Sequence, residues 1–268
     1  MNNNNRIFLL FLLTISMLIL SCSKQKDYNA NNNFLAYYNT FYSAKKNFDN
    51  AVEIISKAED ISKPSATTIQ LLDNAIANAS IIENKFYKTK YLDDAFYIIA
   101  RATYLKGKIS GSKYYFNKIV ENYKDSQYYY ESLIWLGFIN IDLGNSNKIN
   151  SIISQLDINI DNLSSNLFLF YMLKAKASEF FDVNLDIKLN YLLAIENASN
   201  KIDEIKVYKK LLSISEDNDN YKDSVNYLEA ILNNIDSIDN DKNKLLLHHE
   251  NKADTIRPRS EKAESSKN

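Results

Sequence analysis

Apolar residues in this chain recur at three- and four-residue steps, the spacing that puts them on one side of an α-helix. Tyr115, Phe116, Ile119, Val120 and Tyr123 form one such stripe. Phe96, Ile99, Ala100, Thr103 and Tyr104 form a second, and Val225, Leu228, Ile231 and Leu232 a third. Asp93 and Asp94 open the helix of the second stripe, where carboxylates suit free backbone amides and the positive end of the helix dipole. Gly107 closes it, as a C-terminal glycine does. Thr67 to Asn84 reads as a further long helix. Two regions break the pattern. Residues 7–20 are an almost uninterrupted apolar run behind a polar start that contains Arg6. From about Asp239 the periodicity fades, and residues 250–268 are charged and polar, the composition of a disordered tail.

The stripes repeat. Gly107 and Gly144 stand 37 residues apart, each after a helix rich in aromatic and aliphatic residues. Ala100 and Gly137 are also 37 apart; Ala175 follows at 38 and Leu212 at 37 more. The intervening helices keep step through Phe116, Ile153, Tyr191 and Leu228. Self-similarity at this period predicts helix pairs that cannot bury their apolar faces alone and do so by stacking on their neighbours. A register held over four pairs argues against a closed helical bundle.

This pattern resembles the tetratricopeptide repeat (TPR), in a slightly long version of its 34-residue unit. In that family the eighth position is small so that the two helices of a hairpin can approach. Ala100, Gly137 and Ala175 match it, and Leu212 does not. The twentieth position is small as well; Ala51 and Ser112 match, while Ile149 and Ile187 depart. Leu35 to Ala58 looks like a first repeat, with Phe48-Asp49-Asn50-Ala51-Val52 at its turn and Pro64 near the family's terminal proline. The resemblance implies an all-α fold of TPR-like helical hairpins stacked in a right-handed α-solenoid with a concave groove.

The apolar run at 7–20 covers about 21 Å as a helix, short of the roughly 30 Å hydrocarbon core, and reads as the core of a secretory signal. It runs into Ile19-Leu20-Ser21-Cys22, which resembles the bacterial lipobox, with Leu20 the less usual choice. The resemblance implies cleavage before Cys22 and lipidation of its thiol and new amino group, and two or more acyl chains anchor stably. Ser23 is not acidic, which resembles an outer-membrane address. The expected organisation is a signal peptide at 1–21, lipidated Cys22 and a flexible tether at 22–33, the repeat domain at 34–238, and a disordered polar tail at 239–268.

Composition changes the picture in three ways. The chain has 4 Gly and 2 Pro in 268 residues, too few for a fold rich in turns, which favours helices on short connections. Net charge is -1, so no overall pull toward nucleic acid follows. The single cysteine is Cys22, which leaves the body without a disulfide, a thiolate metal site or a cysteine nucleophile.

No catalytic constellation emerges, so we expect no enzyme, no cofactor and no metal site. Gly107 to Lys113 is only superficially a phosphate loop; its glycines are three residues apart and no strand precedes it. His248 and His249, the only histidines, lie at the edge of the tail without a metal-ligand spacing. Asp93/Asp94 and Asp217/Asp219 read as helix-end and turn carboxylates.

The suggestive excess is tyrosine, 19 in all, clustered at Tyr37/Tyr38/Tyr42, Tyr114/Tyr115 and Tyr128/Tyr129/Tyr130. Tyrosine fills helix contacts and is enriched at protein interfaces. A lipobox, a tether and TPR-like pairs together resemble the helical-repeat lipoprotein subunit of the β-barrel assembly machinery. Tyr91 to Asp125 is similar to pairs in that family and in the periplasmic TPR protein of the Tol–Pal system. The resemblance implies a scaffold at the outer membrane, facing the periplasm, whose partners are envelope proteins such as β-barrel outer-membrane proteins. The alternative is a glycan-binding lipoprotein, a class that displays exposed tryptophans; this chain has one, Trp135.

Overall fold

The computed structural model describes residues 30–57, 64–181 and 186–256, the last seventeen of these and residues 30–32 and 39 by backbone alone. The described residues are helical and contain no strand. The helices are α1 (Ala30–Ala36), α2 (Tyr42–Lys57), α3 (Ala66–Lys85), α4 (Leu92–Leu105), α5 (Ile109–Asn122) and α6 (Tyr129–Asp142). They continue with α7 (Ser146–Ile158), α8 (Leu167–Phe180), α9 (Ile187–Glu196), α10 (Lys201–Asp217) and α11 (Tyr221–Ile256). A π turn, Tyr37–Phe41, joins α1 to α2, and a 3₁₀ turn, Ile160–Leu163, precedes α8. None of the described helices is long and apolar enough to cross a membrane.

Short side chains start several helices. Ser65, directly after Pro64, accepts a hydrogen bond from the amide of Thr68 at 3.2 Å. Asp186 accepts from Leu189 at 2.9 Å and Asn200 from Asp203 at 2.9 Å. Each satisfies an amide that the first turn leaves without a partner. Gly107 and Gly144 end α4 and α6 with φ near +72° and +71°. At both, the glycine amide donates to the carbonyl three residues back and the next amide to the carbonyl five back. This is the Schellman closure, and the left-handed conformation it needs is cheapest for glycine.

The same closure ends α10 without a glycine. Asp219 has φ 54°, its amide donates to Glu216, and Asn220 donates to Ser215. Asp219 stands 75 residues after Gly144, one 38-residue and one 37-residue step, so the turn keeps the register that the residue type conceals.

The described chain forms two units. The first comprises residues 30–52 and 64–115. Its core joins Ala44, Phe48 and Ala51 of α2, Leu72, Ala75, Ala79 and Ile82 of α3, and Ala95, Ile98, Ile99 and Ala102 of α4. Ala36, Thr40, Ala44 and Phe48 are all buried at four-residue steps. An ideal 3.6-residue helix would rotate that series off the core; the wider π turn holds it on one side.

The second unit comprises residues 53–57, 116–181 and 186–256. Here α6 packs against α7 and α8, α8 against α9, and α10 against α11. One core takes Ile134 and Phe138 of α6, Ile149 and Ile153 of α7, and Phe170 and Leu173 of α8. A second takes Ala175 of α8, Tyr191 and Ala194 of α9, Val207 and Leu211 of α10, and Tyr227 of α11.

Two sequence expectations change. Phe48 to Val52 is not a turn, because α2 runs through it unbroken. That stretch has no glycine or proline, and Lys45–Asp49 and Lys57–Glu53 pair one turn apart on its outer side. Its partner is α3, expected as an extra helix between repeats, which supplies the other side of the α2 core. Ala79 of α3 lies 37 residues before Phe116, so α3 occupies the second-helix place of a first pair. The described helices reach from Ala30 at one end to Ile256 at the other. Residues 239–256 contain no proline or glycine, and Pro258 disfavours helix at the residue before it.

Candidate protein-interaction surface

The register positions give a test of which faces are covered. Ala100 and Ala175 are fully buried, and Gly137 is buried. Gly137 accommodates the next pair rather than its own: a methyl group there would stand 2.5 Å from a Leu173 terminal methyl on α8. Phe116, Ile153 and Tyr191 are 0, 5 and 1 % exposed, whereas Leu228, at the matching place on α11, is 45 % exposed. The departure marks α11 as a helix whose outer side no described helix covers.

Its inner side is fully engaged. Ser224, Tyr227, Ile231 and Asn234 are buried against α10. The Ser215 and Ser224 hydroxyls share a hydrogen bond of 2.8 Å, and the Asn234 amide donates to Glu204 at 3.2 Å. Asn220 caps the helix by accepting from the Asp223 amide at 3.3 Å.

The outer side carries Tyr221, Val225, Leu228, Leu232 and Ile235, all exposed. Their steps are four, three, four and three residues, the spacing of a coiled-coil seam. The third stripe of the sequence therefore divides: Ile231 turns inward, while Val225, Leu228 and Leu232 face out. Burying one such side chain against a partner helix is worth about 1.5–3 kcal/mol. Isolated exposed apolar residues are ordinary, but a continuous stripe of this kind marks an interaction surface.

An open cleft of about 470 Å³ adjoins the start of this helix, lined by Ile187, Lys188, Leu211, Ile214, Asp223 and Tyr227 among others. Lys188 reaches Asp223 across its mouth at 2.5 Å. The Asp223 carboxylate holds the Lys188 ammonium above its ordinary range. The lining is mixed, with Asp186, Ser215, Asn218 and Asn220 beside the apolar side chains.

The residues singled out in the sequence are dispersed over the molecule. Cys22 lies outside the described residues. His248 and His249 lie on α11 where only the backbone is described. Gly107–Lys113 forms the turn between α4 and α5, with Thr103 packed 3.1 Å from where a Gly111 Cβ would lie. Asp93 and Asp94 sit in the first turn of α4, and Asp217 is the last residue of α10. Trp135 is half-buried on α6, donates to Glu131 at 3.2 Å and packs near Phe138.

The tyrosines serve both ends of the expectation. Tyr128, Tyr129 and Tyr130 are half-buried at the start of α6. Tyr191 is buried and donates to Glu179, and burial together with that carboxylate raises its hydroxyl far above the phenol range. Tyr115 donates to Glu83 at 2.9 Å; burial and then Glu83 push its hydroxyl up to about 12. Tyr38, Tyr42, Tyr114 and Tyr221 are exposed.

Among the described residues no group of three or more His, Cys, Asp or Glu side chains could hold a metal ion. No protein-family model matches the chain, and no curated protein matches it.

Proposed function

We propose that this protein is a lipid-anchored scaffold of the bacterial envelope, and that the outer stripe of α11 takes a helix of a partner protein. The observation that carries this reading is the exposed 4-3-4-3 series Tyr221, Val225, Leu228, Leu232, Ile235. Such a seam closes by knobs-into-holes packing on a second helix. Recognition of this helix-on-helix kind needs no reactive group, only rigid anchors at set intervals.

Four consecutive helix pairs share one register, and the buried places in three of them fall where that register puts them. This supports TPR-like hairpins stacked in a right-handed α-solenoid, the fold that offers extended surfaces for partner segments. The lipobox-like Ile19 to Cys22 supports anchoring through Cys22, and the non-acidic Ser23 supports an outer-membrane place, where the proposed scaffold faces the periplasm. A helical-repeat lipoprotein in that place suits work on β-barrel outer-membrane proteins or their assembly subunits. The glycan alternative rests on exposed tryptophan, and Trp135 is half-buried and hydrogen-bonded.

The test is site-specific photocrosslinking in living cells from position 232, with position 158 as the control. Ile158 is the more exposed of the two but stands outside the stripe. We expect discrete envelope proteins, barrel-assembly components among them, crosslinked from 232 alone and lost in Leu228→Glu. Equal capture from both positions overturns the α11 assignment. Capture of glycan-uptake components instead moves the function to the alternative.

A further inference from the structure

The first unit carries a second unpartnered surface, unlike that of α11. Phe34, Tyr38 and Tyr42 are each more than half exposed and recur every four residues. They lie two residues out of phase with Ala36, Thr40 and Ala44, which face the core, so they occupy the opposite side of α1 and α2. Exposed Lys46 takes the next four-residue place. The loop after α3 stands beside this face, because Asn33 Oδ1 accepts from the Thr89 hydroxyl and the Lys90 amide, both at 2.9 Å. That loop adds exposed Tyr87, Lys88 and Lys90.

The exposed rings are held in place. Phe34 contacts Tyr38 with centroids 4.6 Å apart, Tyr38 stands edge-on to Tyr37 at 5.3 Å, and Tyr37 meets Tyr91 at 5.6 Å. Tyr91 stacks on buried Phe41 at 4.6 Å. The outer rings are thus the end of an aromatic series rooted in the core. Seven residues separate Cys22 from Ala30, where helix begins, at most about 28 Å of extended chain.

We propose that this face seats the first unit on an anionic lipid surface, an inference that rests on the reading of Cys22 as a lipid anchor. Aromatic rings with a polar edge favour the headgroup level of a bilayer, and lysines beside them meet anionic headgroups. The short connection keeps this face within reach of the membrane that would hold Cys22. Seating it there turns a chain held at one point into one with a defined orientation.

The experiment uses the full chain, purified from membranes and placed in vesicles of phosphatidylethanolamine and phosphatidylglycerol carrying brominated acyl chains. Trp135→Phe removes the native indole, and Phe34→Trp or Tyr221→Trp supplies a single new one. We expect the indole at position 34 to be quenched about threefold more than that at 221, since a ring seated at the headgroup–acyl boundary lies close to the brominated chains. In a Cys22→Ala background, Lys88→Glu and Lys90→Glu should each raise the lipid needed for half-quenching about fivefold at low salt. Equal quenching at 34 and 221 in a chain that floats with the vesicles overturns the docking and leaves the anchor standing. Loss of flotation with quenching at 34 retained at high lipid overturns the anchor and leaves the docking. A change at position 34 on adding a soluble oligosaccharide, without lipid, would assign the rings to glycan and overturn the proposal.

Discussion

Gly137 occupies a place on α6 with no room for a methyl group, because Leu173 is fully buried against it. Alanine there gains about 1 kcal/mol of helix propensity but overpacks a closed core, which costs about 1–3 kcal/mol. We expect Gly137→Ala to destabilise the chain by about 1 kcal/mol net, and to stabilise it by a similar amount in a Leu173→Ala background, where only the propensity gain remains. Urea unfolding of the four chains checks the sign reversal. The turn positions behave differently. Gly144 has open space around its absent Cβ, so Gly144→Ala should cost about 1 kcal/mol from the left-handed backbone alone. Asp219 bears that cost already, and Asp219→Gly should raise stability by about 0.5 kcal/mol, read as a higher unfolding midpoint.

Tyr115 adds a pH dependence at the same scale. Its hydroxyl is held at about 12, above the ordinary phenol value of 10.0, so folding favours the protonated form. That contribution is complete below pH 10 and is lost as pH rises toward 12. Denaturant midpoints should therefore fall across that window, less steeply in Tyr115→Phe; an identical slope in the variant would remove Tyr115 as a cause.

Helix α11 shows how one element carries two faces. Its inner residues are held by α10, so Ile231→Ala should destabilise by about 2–3 kcal/mol, the usual cost of emptying a core site. Leu232, one residue on, is exposed, and Leu232→Glu should change stability by no more than about 0.5 kcal/mol. Thermal unfolding followed by circular dichroism separates the two. A large loss from the Leu232 change would mean that its side chain supports the fold rather than awaiting a partner. The π turn between α1 and α2 shows the same economy, with the core on one side and Phe34, Tyr38 and Tyr42 on the other.

At the scale of the whole molecule, our proposal holds the chain at a membrane through Cys22. Cys22→Ala should move the protein from the membrane to the soluble envelope fraction, read by flotation of cell extracts. A variant still bound at high salt would sink the lipid anchor. The second surface then gives this experiment a finer reading, because residual binding that salt removes is what Lys88 and Lys90 would supply.

Local spacing alone determined a good part of this protein. Helical periodicity, scarce glycine and proline and the 37-residue register lay in the order of residue types, because an amphipathic helix must repeat its apolar side every turn. The places of Ala100, Phe116, Ile153, Ala175 and Tyr191 in the core followed from that alone. Only the packed structure decided that α2 continues through Phe48 to Val52, that α3 is its partner and that Asp219 closes a turn as the glycines do. It also decided which part of a stripe is covered. Ile231 and Leu232 are adjacent apolar residues, and their types do not say which has a neighbour. Burial depends on the elements that arrive from elsewhere in the chain, and on α11 one side received α10 while the other received no described helix.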